Sequence, residues 1–297
     1  MWKRISAFFL TVMIMVSVTA CGKEEEPAPP QETPPVSQQP QDTPPQSPEQ
    51  PQDTAWQQPS FQPQIKEARE KNEDIVGWLK IDDLEIDGAV VQAENNKRYE
   101  RQNEWKQYSW TGSYFADYEC NLTGREQLSK NTVIYGHNVH FDDNKDGERF
   151  SQLFHFTDID FAKEHPYLYF STYDPAAAQD GKTPSENDMV WQIFSVFYTT
   201  TDFNYIQVTK DFQNPDSGEI TDAQLMNIIT EAQKRSEYVY DVPVTAKDKI
   251  LTLSTCSYRY GKRDDVRFVV MAKLLAPGEA PQREVSITEN LSKKSVE

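Results

Sequence analysis

The chain has 297 residues, with 47 Asp and Glu against 30 Lys and Arg, for a formal net charge of −17 at pH 7. Such a surface repels polyphosphates and anionic headgroups, which excludes a nucleic-acid binder and a protein that adheres to bilayers by charge. Its 3 cysteines are too few for a disulfide framework.

Lys3-Arg4 precede an apolar run from Ile5 to Ala20, the layout of an export signal. The run is shorter than a comfortable membrane span. It ends in Val18-Thr19-Ala20-Cys21-Gly22, which resembles a bacterial lipobox. Residues 1–21 are therefore expected to be a signal segment, with Cys21 lipidated and becoming the new N-terminus. An uncleaved N-terminal anchor is the alternative. Either arrangement holds the protein on the outer face of a cell membrane.

Residues 22–62 hold most of the chain's 19 prolines, together with Gln, Glu, Asp, Ser and Thr. This composition cannot bury enough apolar surface to offset the entropy of ordering it. A stiff, extended, disordered spacer is expected, which would lift the following domain away from the membrane.

Residues 63–277 are long enough for one domain with a sizeable core. Gln64 to Ile75 reads as a helix with its charges outward. Strand signals then dominate: Trp78 to Ile81, Ile86 to Val91, Gly112 to Ala116, Thr132 to Gly136, Tyr167 to Thr172, Met189 to Thr200, Ile250 to Cys256 and Arg267 to Leu275. Two helical interruptions stand out. Glu148 to Phe156 carries Phe150, Leu153 and Phe154 on one face. Thr221 to Ser236 opens on an N-cap pair, Thr221-Asp222, and carries Leu225, Ile228 and Ile229. The fold class is mostly β, a closed barrel of about eight strands with an N-terminal helix. Residues 278–297 are polar and read as a flexible tail.

The chemistry gathers at strand ends. The apolar, β-branched stretch from Leu251 stops at Cys256, Ser257 to Asp265 is polar loop, and Arg267 opens the next apolar strand. Another apolar strand from Asn131 ends at His137. A thiol attacks as its thiolate, needs a proton shuttle, and makes an oxyanion that a fixed positive charge can hold. Cys256, His137 and Arg267 therefore read as a cysteine transacylase or protease. The structural alternative is a Cys that packs as a small hydrophobe beside a surface His. Cys120 follows Tyr118-Glu119 in a loop and reads as a free structural thiol.

Thr252-Leu253-Ser254-Thr255-Cys256, followed by Arg267-Phe268-Val269-Val270 and preceded far upstream by Val133-Ile134-Tyr135-Gly136-His137-Asn138, resembles the class B sortases. The likeness runs from about Asn72 to Leu275. It includes Asn72-Glu73-Asp74-Ile75-Val76-Gly77-Trp78-Leu79, Gly112-Ser113-Tyr114-Phe115-Ala116-Asp117-Tyr118 and Phe194-Ser195-Val196-Phe197-Tyr198. The resemblance implies a sortase-like barrel with a helix before its last strands, working without a cofactor or metal. It makes Cys256 the nucleophile, His137 the proton-transfer partner and Arg267 the oxyanion and substrate clamp. The backbone N–H after Cys256 is a candidate second oxyanion donor. Asn96, Tyr135, Thr201, Tyr205, Ile206 and Ser254 are implied to surround the bound peptide.

The implied activity is that of a cysteine transpeptidase. It would cleave a C-terminal sorting signal of roughly the form N-P-x-T-[NGS] after Thr. The acyl group would pass to an amine of peptidoglycan or of its lipid-linked precursor. The partners would be sorting-signal-bearing surface proteins of a Gram-positive cell wall. A peptide-binding wall module and a hydrolytic cysteine endopeptidase are the alternatives.

Two features depart from the family pattern. Arg263, in the loop after Cys256, rivals Arg267 as the clamp, although Arg267 is the one that starts a strand. The run Asp142-x-Asn144-x-Asp146-Gly147 opens like a calcium loop, but the position of its closing acid is Leu153, so a solvated acidic loop is expected. His140, His155 and His165 lack the paired spacing that holds zinc.

Overall fold

The computed structural model describes residues 56–139, 142–180 and 185–296. By its contacts the chain divides into Met1–Asp53 and Thr54–Glu297, and the described residues all belong to the second unit. The expected signal segment with Cys21, the expected spacer as far as residue 55, and His140 lie outside the described residues. Among the described residues no helix is long and apolar enough to cross a membrane.

The elements are α1 (Gln62–Lys71), β1 (Ile75–Lys80), β2 (Asp87–Val91), β3 (Tyr114–Ala116), β4 (Asn131–Tyr135), α2 (Ile159–Glu164), β5 (Tyr167–Thr172), α3 (Ala177–Asp180), β6 (Val190–Thr200), α4 (Asp222–Arg235), β7 (Tyr238–Tyr240), β8 (Ile250–Cys256), β9 (Val266–Leu274) and β10 (Ile287–Glu289). Eight strands close a barrel in the order β1-β2-β3-β4-β8-β9-β6-β5, with β5 pairing back onto β1. The β2/β3 and β4/β8 pairs are parallel, and the remaining barrel pairs are antiparallel. Closure satisfies the edge groups that an open sheet would leave unpaired.

The buried side chains fall into two clusters. The larger joins Leu79, Val133, Phe170, Trp191, Phe197 and Val270 with Leu225, Ile228 and Ile229 of α4. Covering by α4 explains why β6 carries apolar residues toward both faces rather than alternating with exposed polar ones: nearly every residue of β6 is buried. The capping box expected from the sequence is present, with Gln224 N–H donating to Thr221 Oγ1 at 3.2 Å and Thr221 N–H to Gln224 Oε1 at 2.9 Å. The smaller cluster seats Ile65 and Ala68 of α1 against Ile75, Val91 and Tyr169.

Four expectations need correction. The first helix starts at Gln62, with Pro63 in its first turn. It stops at Lys71 because Asn72 turns the chain, its Oδ1 accepting from Asp74 N–H at 3.0 Å. The packed unit also begins before residue 63: Phe61 is buried near Tyr169, and its N–H donates to Asp188 Oδ1 at 3.0 Å. The second helical segment is a 3-10 helix, Phe150–Thr157, because Phe150, Leu153 and Phe156 repeat every third residue and stack on one buried face. Finally, the tail is not frayed throughout. Ile287–Glu289 pairs antiparallel with Tyr238–Tyr240, and Val285 and Ile287 enter the core. The strand is only three residues long, too short to show a period within a polar stretch.

Candidate active site

Strand register builds the site. In the β8/β9 pair Cys256 lies directly opposite Arg267. Opposed residues of an antiparallel pair share one face, with Cβ atoms about 4.5–5.5 Å apart. On the other side β4 runs parallel to β8, with Tyr135 beside Ser254. The association continues past the strand end, since Gly136 N–H donates to Ser254 O at 3.3 Å and Thr255 Oγ1 donates to Gly136 O at 2.8 Å. This carries His137 up to the level of Cys256. All three side chains are half-buried, and all three line one cavity of about 530 Å³.

The imidazole is fixed from behind. His137 Nε2 meets the carbonyl oxygen of Glu100 at 2.8 Å, and Phe150 N–H donates to His137 O at 3.0 Å. A carbonyl only accepts, so Nε2 carries the hydrogen, and Nδ1 is the nitrogen left to exchange protons in the cavity.

Gly112 holds that contact in place. It adopts φ +58°, and a Cβ there would lie 2.8 Å from Glu100 O, 2.9 Å from Tyr99 O and 3.0 Å from His137 Cδ2. Gly112→Ala is therefore expected to displace the ring, lowering kcat by about 10- to 100-fold and stability by about 1–2 kcal/mol. Steady-state kinetics and thermal unfolding measure the two effects.

Arg267 Nη1 donates to Asp264 O at 2.7 Å and Val266 O at 2.9 Å, which anchors one arm of the guanidinium at the rim. Arg263, the rival, is engaged elsewhere. Its Nε and Nη2 donate to the two carboxylate oxygens of Asp265 at 2.9 and 2.7 Å, and it does not line the cavity. One sequence expectation is overturned. The N–H after Cys256 belongs to Ser257, and it donates to Val266 O at 3.0 Å. The β8/β9 ladder extends one residue beyond the thiol and consumes that donor.

The six residues expected around a peptide also line the cavity. Asn96 Nδ2 and Tyr135 OH both donate to Asp117 Oδ2 at 2.8 Å. Asn96 Oδ1 accepts from Tyr118 N–H at 3.0 Å, which leaves one amide hydrogen for the cavity. Burial, and then the adjacent Asp117 carboxylate, push the Tyr135 phenol well above its ordinary pKa, so it remains a donor. Tyr205 OH and Ser254 Oγ lie 2.8 Å apart. Burial pushes Tyr205 up to about 12. The segment carrying Thr201, Tyr205 and Ile206 is tied down at both ends. Thr201 N–H donates to Asp265 O at 2.9 Å, and Asn131 Nδ2 donates to Tyr205 O at 2.9 Å.

Sequence reasoning missed Asp117, Glu100 and Phe212. Asp117 is 3% exposed and works from behind the lining, and Glu100 contributes through its main chain. Phe115, Phe203 and Phe212 supply apolar wall. Cys120 is buried, with Val133 N–H donating to its sulfur at 3.4 Å, and burial pushes its thiol far up.

Comparison with known proteins places the chain in a family. A family model described as the Sortase domain matches residues 79–275. Sortase B of Listeria monocytogenes is 34% identical over 216 residues, 71% of this chain and 74% of that protein. The solved Staphylococcus aureus sortase B–substrate complex superposes with a TM-score of 0.56 at 28% identity, covering 72% of this chain and 86% of that one. A solved sortase B complexed with triglycine gives a TM-score of 0.57 at 28% identity, covering 73% and 87%.

Proposed function

The chain belongs to the sortase family, on its class B branch, and is a cysteine transpeptidase; from that premise we propose that it cleaves a C-terminal sorting signal after its threonine and transfers the acyl group to a cell-wall amine. The observation that supports this reading most is the cross-strand pairing of Cys256 with Arg267 beside His137 at one apolar-walled cavity.

The steps we infer use the residues that line this cavity. The Cys256 thiol passes its proton to His137 Nδ1, the resulting thiolate adds to the threonine carbonyl carbon, and the carbonyl oxygen takes the negative charge. Arg267 is the cation in the cavity lining among the described residues. With the Ser257 N–H committed to the ladder, the guanidinium is the group placed to hold that oxyanion. Collapse breaks the C–N bond, and the departing amine takes a proton from His137 Nδ1. A thioester to Cys256 remains. An incoming amine then loses a proton to His137 as it attacks, and the thiolate leaves.

Asn96, Tyr135, Thr201, Tyr205, Ile206 and Ser254 would surround the N-P-x-T portion. Their mix of apolar wall and a few fixed polar groups suits an extended peptide. The acceptor would be an amine of peptidoglycan or its lipid-linked precursor; a related sortase B has been solved with triglycine. The N-terminal region would tether the enzyme outside the membrane, through lipidated Cys21 or an uncleaved segment. The mass of the mature N-terminal fragment distinguishes the two and would exclude both if it is cleaved without lipid.

The test is incubation with a peptide of the form N-P-x-T-N, with and without triglycine. Cleavage after Thr with a ligated Thr–Gly product is expected. A free carboxylate product at all triglycine concentrations would make the enzyme a hydrolase and defeat the transfer step.

A further inference from the structure

The loop after His137 carries a carboxylate that acyl transfer itself does not use. Its acidic stretch has no closing ligand for calcium, because Leu153 at that position is fully buried in the core. One of its acids instead turns toward the strand end that bears the thiol. Asp143 Oδ2 accepts from Ser257 Oγ at 2.6 Å. Asp143 Oδ1 accepts from Tyr258 N–H at 2.8 Å and from Asn138 Nδ2 at 3.1 Å. Asn138 is itself 6% exposed, and its Nδ2 also donates to the carbonyl of Cys256 at 3.1 Å. Asn138 Oδ1 accepts from Ser151 Oγ at 3.0 Å, and that same hydroxyl oxygen accepts from Val139 N–H at 3.1 Å.

Asn138 follows His137 in the chain, and Ser257 follows Cys256. The two reacting residues thus sit on segments whose next residues are clasped by one carboxylate. An ionised carboxylate is acceptor-only with two oxygens, so it can gather three donors from two segments with short, charge-assisted bonds. A hydrophobic contact would not fix the segments in register, because it is non-directional.

We infer that Asp143 is a positioning residue for acyl transfer, holding the Cys256 strand end against the His137 loop through Asn138, Ser257 and Tyr258. The inference rests on the reading of Cys256 and His137 as the reacting pair. Asp143 touches neither side chain in the hydrogen-bond network above, so its removal should disturb alignment in the transition state more than peptide binding.

Asp143→Ala and Asp143→Asn remove the same charge, but only Asn keeps an acceptor oxygen for Tyr258 and a polar partner for Ser257. Their difference therefore reads geometry alone. Asp143→Ala is expected to lower kcat by about 10- to 100-fold with KM within about twofold, and Asp143→Asn to recover most of the loss. A substrate-free readout is the rate of Cys256 alkylation by iodoacetamide, expected to be about fivefold slower in the Ala variant than in the Asn variant. Equal behaviour of the two variants in both readouts, or native kcat in Asp143→Ala, overturns the inference. If the native protein cleaves no sorting peptide, the transpeptidation reading fails while the alkylation comparison still judges Asp143. Should Asp143→Ala not fold, Ser257→Ala carries the test. Its kcat is expected to fall by about threefold at constant KM, and unchanged kcat overturns the inference.

Discussion

Cys256→Ala is expected to leave a sorting peptide uncleaved, with kcat/KM lower by on the order of 10⁴-fold or more. The size follows from the absence of a substitute among the described thiols. Cys120 is buried, and burial holds its sulfur in the protonated, inert form. The alanine variant should still fold, because the position is half-buried at a strand end and the β8/β9 ladder is made by main-chain groups. Peptide affinity measured by fluorescence polarisation should stay close to native while turnover disappears. Residual cleavage within about tenfold of native would mean that another group attacks.

Arg267 is expected to give the second-largest loss. Arg267→Ala should lower kcat by about 10²- to 10³-fold, the usual cost of removing a principal oxyanion donor. The structure also predicts that Arg267→Lys recovers little. One arm of the guanidinium is held by the carbonyls of Asp264 and Val266, while the residue lines the cavity. An ammonium group cannot keep both anchors and still present a donor at the same place. Arg263→Ala, by contrast, removes a group paired with Asp265 outside the cavity, and its effect on kcat should stay within about threefold. Comparing kcat for the three variants separates the two arginines. A larger loss in Arg263→Ala than in Arg267→Ala would reassign the clamp.

Much of this arrangement was legible from residue order. The strand that stops two residues before His137, the one ending at Cys256 and the one that opens just before Arg267 are runs of β-branched and apolar residues whose limits are set by polar loops. Such local patterns survive into the fold. The closed barrel followed from the number of such runs, and the α4 start from Thr221 and Gln224, whose capping bonds span only three residues.

What could not be read were interactions set by register or by partners far apart in sequence. The loop from Ser257 to Asp265 does not reveal whether Cys256 opposes Arg267 or a neighbour, and a slip of one residue would turn the guanidinium to the other face. The same register decides that the Ser257 N–H is spent on Val266. Asp117 gathers Asn96 and Tyr135 from segments some twenty residues to either side. Asp143 reaches Ser257, 114 residues away. An acid in a polar stretch looks like a solvated charge until the fold brings its donors to it. Ile287–Glu289 was missed for a different reason: three residues are too few to show a period against a polar background.

In the proposed reaction, acyl transfer passes through a thioester on Cys256. Intact mass spectrometry of the full chain, quenched in acid during turnover of a sorting peptide, tests it directly. The expected mass increase is that of the peptide up to and including its threonine, less one water. Proteolytic mapping should place it on Cys256, and triglycine should discharge it. Cleavage that proceeds with no adduct on Cys256, or with the adduct on another residue, would contradict it.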